Sequence, residues 1–353
     1  MNVIETRQLT KTYGRMRAVD ALDMHVGAGD IYGFVGKNGA GKSTALKMFA
    51  GLTLPTSGEI SLFGAVCTPS LSSPFSAAFS RVGALIENPG ILPTMSAEEN
   101  LMAKAIALGV MHPRAHCREL LELVGLHKVG TRAAKKFSLG MKQRLGLGLA
   151  LVGGPDLLLL DEPFNGLDPE ATRQMRRTLV DLNRERGITI VISSHVLDQL
   201  DRMATRFGVI RSGRMVRELT EGEVHAACTS AVRIKASNTA RALAVLEQRF
   251  GQAVFRVDAD DAILITAGSG PRPADARFGG AADGAEALGM PSCEDVARAL
   301  SDVGELACEL SLIERDLEEY FVELMGGADN EEQNGDRAQR GAKTPARHGL
   351  FSR

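Results

Sequence analysis

The sequence predicts an α/β protein, with a large domain of buried strands and amphipathic helices followed by a smaller α+β domain. Three observations carry this. Short apolar runs, at residues 157–160 and 188–192, recur between helix-like segments, and burial on both faces is what a parallel sheet covered by helices requires. A glycine-rich segment at 36–44 lies between such a strand and a helix. Beyond about Glu223 the pattern changes to alternating segments, and 353 residues leave room for a second domain.

In chain order, residues 30–35 (DIYGFV) read as a strand and 43–50 as the helix after it. Residues 91–129 have helical spacing at 97–108 and 115–124 and few strand signals, so a helical insertion is expected over about 91–152. The all-leucine run at 157–160 and the β-branched run at 188–192 are fully buried strands. Alternation at 232–235, 254–257 and 263–265 surrounds a helix at 239–250. Residues 267–289, rich in Gly, Ala and Pro, read as a flexible loop, and helices are expected at 294–300 and 312–324. The expected boundaries are 1–222 for the large domain, 223–325 for the accessory α+β domain, and 326–353 for a polar, disordered tail.

Composition excludes several classes. Lys and Arg total 41 against 43 acidic residues, a net charge of -2. No basic face or tract marks nucleic acid as a partner. The five cysteines, Cys67, Cys117, Cys228, Cys293 and Cys308, form no C-x-x-C pair, so reduced thiols in a cytosolic protein are expected rather than a zinc or redox site. Met1 to Glu5 shows no basic start leading into an apolar stretch, so no secretory signal is expected. The longest apolar runs, 145–154 and 157–160, fall short of the roughly 20 residues that span a bilayer. Any membrane role is expected to come through a partner.

Residues 36–44 read GKNGAGKST and fit G-x-x-x-x-G-K-[ST] between a strand and a helix. Gly36, Gly39 and Gly41 let the backbone curl, so that N–H groups around Asn38 face phosphate oxygens. The following helix turns its partially positive N-terminus toward the same anion. Lys42 supplies charge to the β- and γ-phosphates, Ser43 a hydroxyl for Mg2+, and Thr44 a further phosphate contact. The loop alone leaves the class of nucleotide enzyme open. Asp161 and Glu162 end the leucine strand, where an aspartate serves Mg2+ and the adjacent glutamate polarises the attacking water.

Further motifs narrow the class. Ser138 and Gly140 (SLGMKQR from 138) open a helix read from Met141 to about Val152, which is another anion-ready N-terminus. This run resembles the signature of the ABC ATPase family, usually L-S-G-G-Q and here F-S-L-G-M. Asp168, in Asn165-Gly166-Leu167-Asp168-Pro169, resembles that family's D-loop, and His195 after Ser193-Ser194 its switch histidine. Tyr13 resembles the aromatic residue that stacks on adenine. In this order the motifs cover about residues 3–218. The resemblance implies a P-loop NTPase fold, with a RecA-like core, an antiparallel β-subdomain and a helical subdomain. It implies ATP and Mg2+ as cofactors. It also implies a face-to-face pair in which one subunit's phosphate loop meets the other's signature. One motif set occurs here, so the second is expected from another chain, most simply an identical one.

Most members carry glutamine between the core and the helical subdomain, where this chain has Glu87, in VGALIENPG. With its variant signature, the chain resembles ATPases of bacitracin-resistance and lantibiotic-immunity exporters. An ionised carboxylate only accepts hydrogen bonds, whereas an amide also donates. Glu87 therefore adds charge near the phosphates, as a catalytic and metal-directed candidate beside Glu162, His195 and Asp161. The resemblance implies an integral membrane permease as partner and a peripheral place on the cytoplasmic face of the membrane. A soluble family member acting on the ribosome resembles a tandem pair with a basic linker, and one acting on DNA carries long coiled coils or zinc cysteines. Neither pattern occurs here. A nucleotide-binding regulator without turnover fits poorly with Lys42, Asp161, Glu162 and His195 together.

Overall fold

The computed structural model describes residues 1–67, 75–228, 231–251, 253–258, 260–266, 291–313 and 317–326. They form two compact bodies. One holds Met1–Glu221 together with residues from Phe321 onward, and the other is Gly222–Tyr320.

The first body runs β1 (Asn2–Tyr13), β2 (Met16–Gly27), β3 (Ile31–Val35), α1 (Lys42–Phe49), β4 (Ser57–Leu62), β5 (Ala65–Cys67), α2 (Phe75–Phe79) and β6 (Val82–Leu85). Three helices follow: α3 (Ala97–Ala107), α4 (Pro113–Leu123) and α5 (Leu139–Leu151). The chain then alternates β7 (Leu157–Asp161), α6 (Pro169–Arg186), β8 (Thr189–Ser194), α7 (Asp198–Asp201), β9 (Arg206–Arg211) and β10 (Arg214–Thr220).

Six strands form one sheet in the order β10-β9-β3-β8-β7-β6. Its members are parallel except β10, which returns antiparallel to β9. Strands β3, β7 and β8 are buried at every residue, as a sheet with both faces covered must be. A second, antiparallel sheet has the order β2-β1-β4-β5. One apolar cluster joins the two sheets through α1, with Leu9, Leu22 and Leu62 on one side and Phe34, Leu159 and Val191 on the other, around Leu46, Met48 and Phe49. Burying each such side chain stabilises the body by about 1.5–3 kcal/mol. The phosphate-loop helix is therefore held from both sides.

Local signals fix the helix ends. Ser96 and Glu99 form a reciprocal capping box at the start of α3. Asp168 caps α6, Pro169 opens it, and Gly187 closes it in a left-handed conformation. Ser138 caps α5, so that helix begins at Leu139 rather than Met141, and Gly140 lies within its first turn. Helix α3 packs on α4 and α5, forming the helical insertion.

The second body runs α8 (Glu221–Ala227), β11 (Ala231–Ala236), α9 (Thr239–Arg249), β12 (Val254–Val257), β13 (Ile263–Thr266), α10 (Cys293–Ser301), β14 (Ala307–Ile313) and the start of α11 (Leu317–Gly326). Its four strands are antiparallel in the order β12-β13-β11-β14. Val232, Ile234, Ile263 and Ile265 meet Leu246, Val296 and Leu300 of the two helices in one core. The expected helix at 312–324 is corrected here. Leu312 and Ile313 belong to β14, paired with Val232 and Ala231, and the helix starts only at Leu317. The end of α11 belongs to the first body: Phe321 is wholly buried and its ring lies 5.6 Å from that of Phe207 on β9, tilted by 59°. The glycine-rich loop expected at 267–289 and all but the first residue of the tail expected at 326–353 lie outside the described residues.

Cys117, Cys228, Cys293 and Cys308 are free thiols, and the Cys67 side chain lies outside the described set. Burial pushes the Cys117 thiol above its ordinary range. Among the described residues, no helix is long and apolar enough to cross a membrane.

Candidate nucleotide site

Strands β3, β7 and β8 end level with one another, because the parallel register pairs Val35 with Ser194 and Asp161 with Ser193. Three polar segments therefore emerge at one edge: the loop after β3, the pair Asp161 and Glu162, and Ser193 to His195. Crevices beyond the carboxyl ends of parallel strands are where such sheets take ligands.

The loop is shaped by its glycines. Gly39 and Gly41 have φ of 81° and 110°, conformations that side chains rarely adopt. A Cβ on Gly36 would stand 2.5 Å from the Ile210 carbonyl oxygen, and one on Gly41 would stand 2.4 Å from that of Ala18. Gly41 caps α1, so the first-turn amides of Lys42, Ser43 and Thr44 open into the loop. Asn38 and Gly39 are exposed at the tip, whereas Ser43 and Thr44 are half-buried.

Lys42 is only 5% exposed. Its ammonium donates to the carbonyl oxygens of Gly36 (2.6 Å) and Lys37 (3.3 Å) and lies 3.5 Å from Oε1 of Glu162. The other Glu162 oxygen, Oε2, is 2.8 Å from Nδ1 of His195. Ser193 organises this group from below. Its hydroxyl donates to Asp161 Oδ1 at 2.6 Å and accepts the Glu162 N–H at 3.0 Å. Glu162 itself has φ of 48°, a strained backbone that persists where the surroundings over-determine it.

A cleft of about 430 Å³ opens beside these residues, lined by Glu87, Leu139, Gln143, Asp161, Glu162, Asn165 and Gly166. Three carboxylates share it, and Oε1 of Gln143 is buried without a hydrogen-bond donor. Acceptors of this kind suit a hydrated hard cation. Among the described residues, no group of three or more His, Cys, Asp or Glu is placed to hold a metal alone. The hydroxyl of Ser43 and the carboxylate of Asp161 are oxygen donors of the kind that Mg2+ accepts.

The other expected residues are placed differently. Tyr13 ends β1 opposite Met16 with 47% of its surface exposed, and the Lys11 ammonium lies 5.1 Å from its ring centre. Glu87 has φ of 59°, and its carboxylate is ion-paired with Lys47 at 2.5 Å. Ser138 Oγ accepts the Met141 N–H (3.3 Å) and Asp168 Oδ1 accepts the Ala171 N–H (2.7 Å). Among the described residues, no hydrogen bond or ion pair joins Ser138, Gly140 or Asp168 to the phosphate loop of the same chain.

Sequence reasoning passed over two residues. Ser193 was noted only as a neighbour of His195, although the strand register makes it the link between Asp161 and Glu162. Lys47 was not singled out. Its signal was available, since it lies four residues after Ser43 and so on the same helix face.

Comparison with known proteins places this geometry. Residues 19–165 match the family model described as ABC transporter. The chain is 35% identical over 325 residues to the bacitracin transport ATP-binding protein BcrA of Bacillus licheniformis, covering 92% of this chain and 98% of that one. It is 34% identical to the daunorubicin/doxorubicin resistance ATP-binding protein DrrA of Streptomyces peucetius, covering 92% of each. The structure resembles cbiO1 from Clostridium perfringens, part of the ABC transporter complex cbiONQ, with a TM-score of 0.58 and 25% identity over 64% of this chain and 91% of that one. Identity of 34–35% along nearly the whole length of these relatives shows that the chain belongs to the ABC transporter family, and the phosphate loop, acid pair and histidine at one sheet edge suit its work there as an ATP-binding and ATP-hydrolysing subunit.

Proposed function

We propose that this ATPase powers export of a peptide antibiotic or another drug through a separate membrane permease, working as one of two identical subunits at the cytoplasmic face. The carrying observation is the Lys42–Glu162–His195 group, three side chains in contact at the mouth of the phosphate loop. The relatives' names, bacitracin transport and daunorubicin/doxorubicin resistance, supply the class of cargo.

The residues divide the work as follows. Backbone amides from Gly39 to Thr44 and the Lys42 ammonium hold the triphosphate, and Tyr13 offers its exposed ring to the base. Ser43 and Asp161 would hold Mg2+, which would supply charge neutralisation to the triphosphate. Glu162 orients water for in-line attack, and His195, fixed by the same carboxylate, stands ready for the γ-phosphate. Ser138, the cap of α5, and Gly140, in its first turn, complete the pocket of a second copy. Loss of the γ-phosphate reopens the pair.

A groove fits the permease. It measures about 430 Å³ and is lined by Leu52, Leu85, Ile86, Leu92 and Leu149, where the segment after β6 meets α3 and α5. Lys104 is its one charged lining residue, with its ammonium held below the ordinary lysine range by burial. An apolar segment bearing a carboxylate suits it. Glu87 stands between Ile86 and Asn88, which line this groove, and itself lines the cleft beside Asp161 and Glu162, which suits it to couple nucleotide state to the permease.

The test is co-expression with the cognate permease in a drug-sensitive host. Resistance that requires both chains and disappears with Glu162→Gln is expected. Full resistance from the Glu162→Gln variant would refute the transport reading.

A further inference from the structure

Glu87 presents an electrostatic problem. It lines the cleft that already holds Asp161 and Glu162, so a third carboxylate faces the region assigned to a polyanionic nucleotide. Like charges at this range repel, least screened where the groups are partly buried. The structure also shows what offsets it. Glu87 Oε1 is 2.5 Å from the Lys47 ammonium, with the two side chains 59% and 31% exposed. Lys47 sits on α1, one turn beyond Ser43, on the helix that the phosphate loop opens. Glu87 is held in a left-handed conformation, φ 59°, a strained backbone that its surroundings must impose.

We propose that Lys47 is a positioning and charge-compensating residue for Glu87, so that a carboxylate works where an amide would carry no charge, and the phosphate-loop helix is tied to the segment that leads to the permease groove. This rests on the reading that Glu87 faces the nucleotide. A further consideration bounds its effect. A half-exposed ion pair contributes little to folding, so its effect belongs in nucleotide affinity rather than in stability.

The experiment is a double-mutant cycle on the purified full-length chain, reading KM for Mg-ATP, kcat and salt dependence for Lys47→Met, Glu87→Gln and the pair. In the native background Lys47→Met should raise KM about fivefold with kcat less affected, more strongly at low salt. In the Glu87→Gln background the same change should cost less than twofold. An equal cost in both backgrounds would overturn the proposal, because Lys47 would then act on nucleotide directly. No cost in either would overturn it as well. The native chain is the separate control: absence of Mg-dependent ATP turnover there would strike at the assignment of the hydrolytic residues, whatever Lys47 does.

Discussion

Oε2 of Glu162 lies 2.8 Å from Nδ1 of His195, while Oε1 of the same carboxylate lies 3.5 Å from the Lys42 ammonium. One side chain thus spans the lysine of the phosphate loop and the histidine that follows β8. Glu162→Gln keeps the shape and removes the charge. It should still bind Mg-ATP and lower the hydrolysis rate by about 10²–10⁴-fold, measured by phosphate release alongside equilibrium nucleotide binding. Normal turnover would remove Glu162 as the base.

Metal removal follows from the donor set at Ser43 and Asp161. With EDTA in excess, ATP hydrolysis should stop while the fold persists. Restoring Mg2+ should return it, as followed by paired activity and circular dichroism measurements. Ser43→Ala should raise the Mg2+ concentration needed for half-maximal rate.

Gly41 stands at φ 110°, with the Ala18 carbonyl oxygen 2.4 Å from where a Cβ would be. Gly41→Ala must therefore move backbone on both sides. A cost of about 1–3 kcal/mol is expected, seen as a lower melting temperature and a loss of ATP affinity larger than any loss in kcat. Wild-type affinity would show that the loop tolerates a different curl.

Lys104 is a partly desolvated cation in a mostly apolar groove. Lys104→Leu should raise the melting temperature of the isolated subunit and leave its ATPase rate unchanged, yet weaken its retention on membranes carrying the permease. A carboxylate-to-lysine change in the permease segment that occupies the groove should lose retention with the native chain and recover it with Lys104→Glu.

The core strands were legible because complete burial leaves a plain mark: four leucines in β7 and the β-branched run of β8. The phosphate loop was legible because its glycines are demanded by backbone geometry. Strand β14 was misread because Leu312 and Ile313, in its apolar end, continue toward a true helix, and short apolar runs carry no decisive period. The Ser193 link and the Lys47–Glu87 pair depend on strand register and on a loop meeting a helix 40 residues away, which local patterns do not encode. The separation of Ser138 and Asp168 from the loop of their own chain is likewise a matter of tertiary placement, although each was recognised as a helix start or motif residue.

The tilted ring contact of Phe207 and Phe321 makes the end of α11 a plug for the catalytic body. A polypeptide ended at Thr220 would keep every nucleotide motif and still be unfinished, with a dry interior ring turned out to water. Shortened versions intended to isolate the hydrolytic machinery should therefore precipitate more readily than the whole chain, and regain solubility when the missing terminal helix is supplied as a separate peptide.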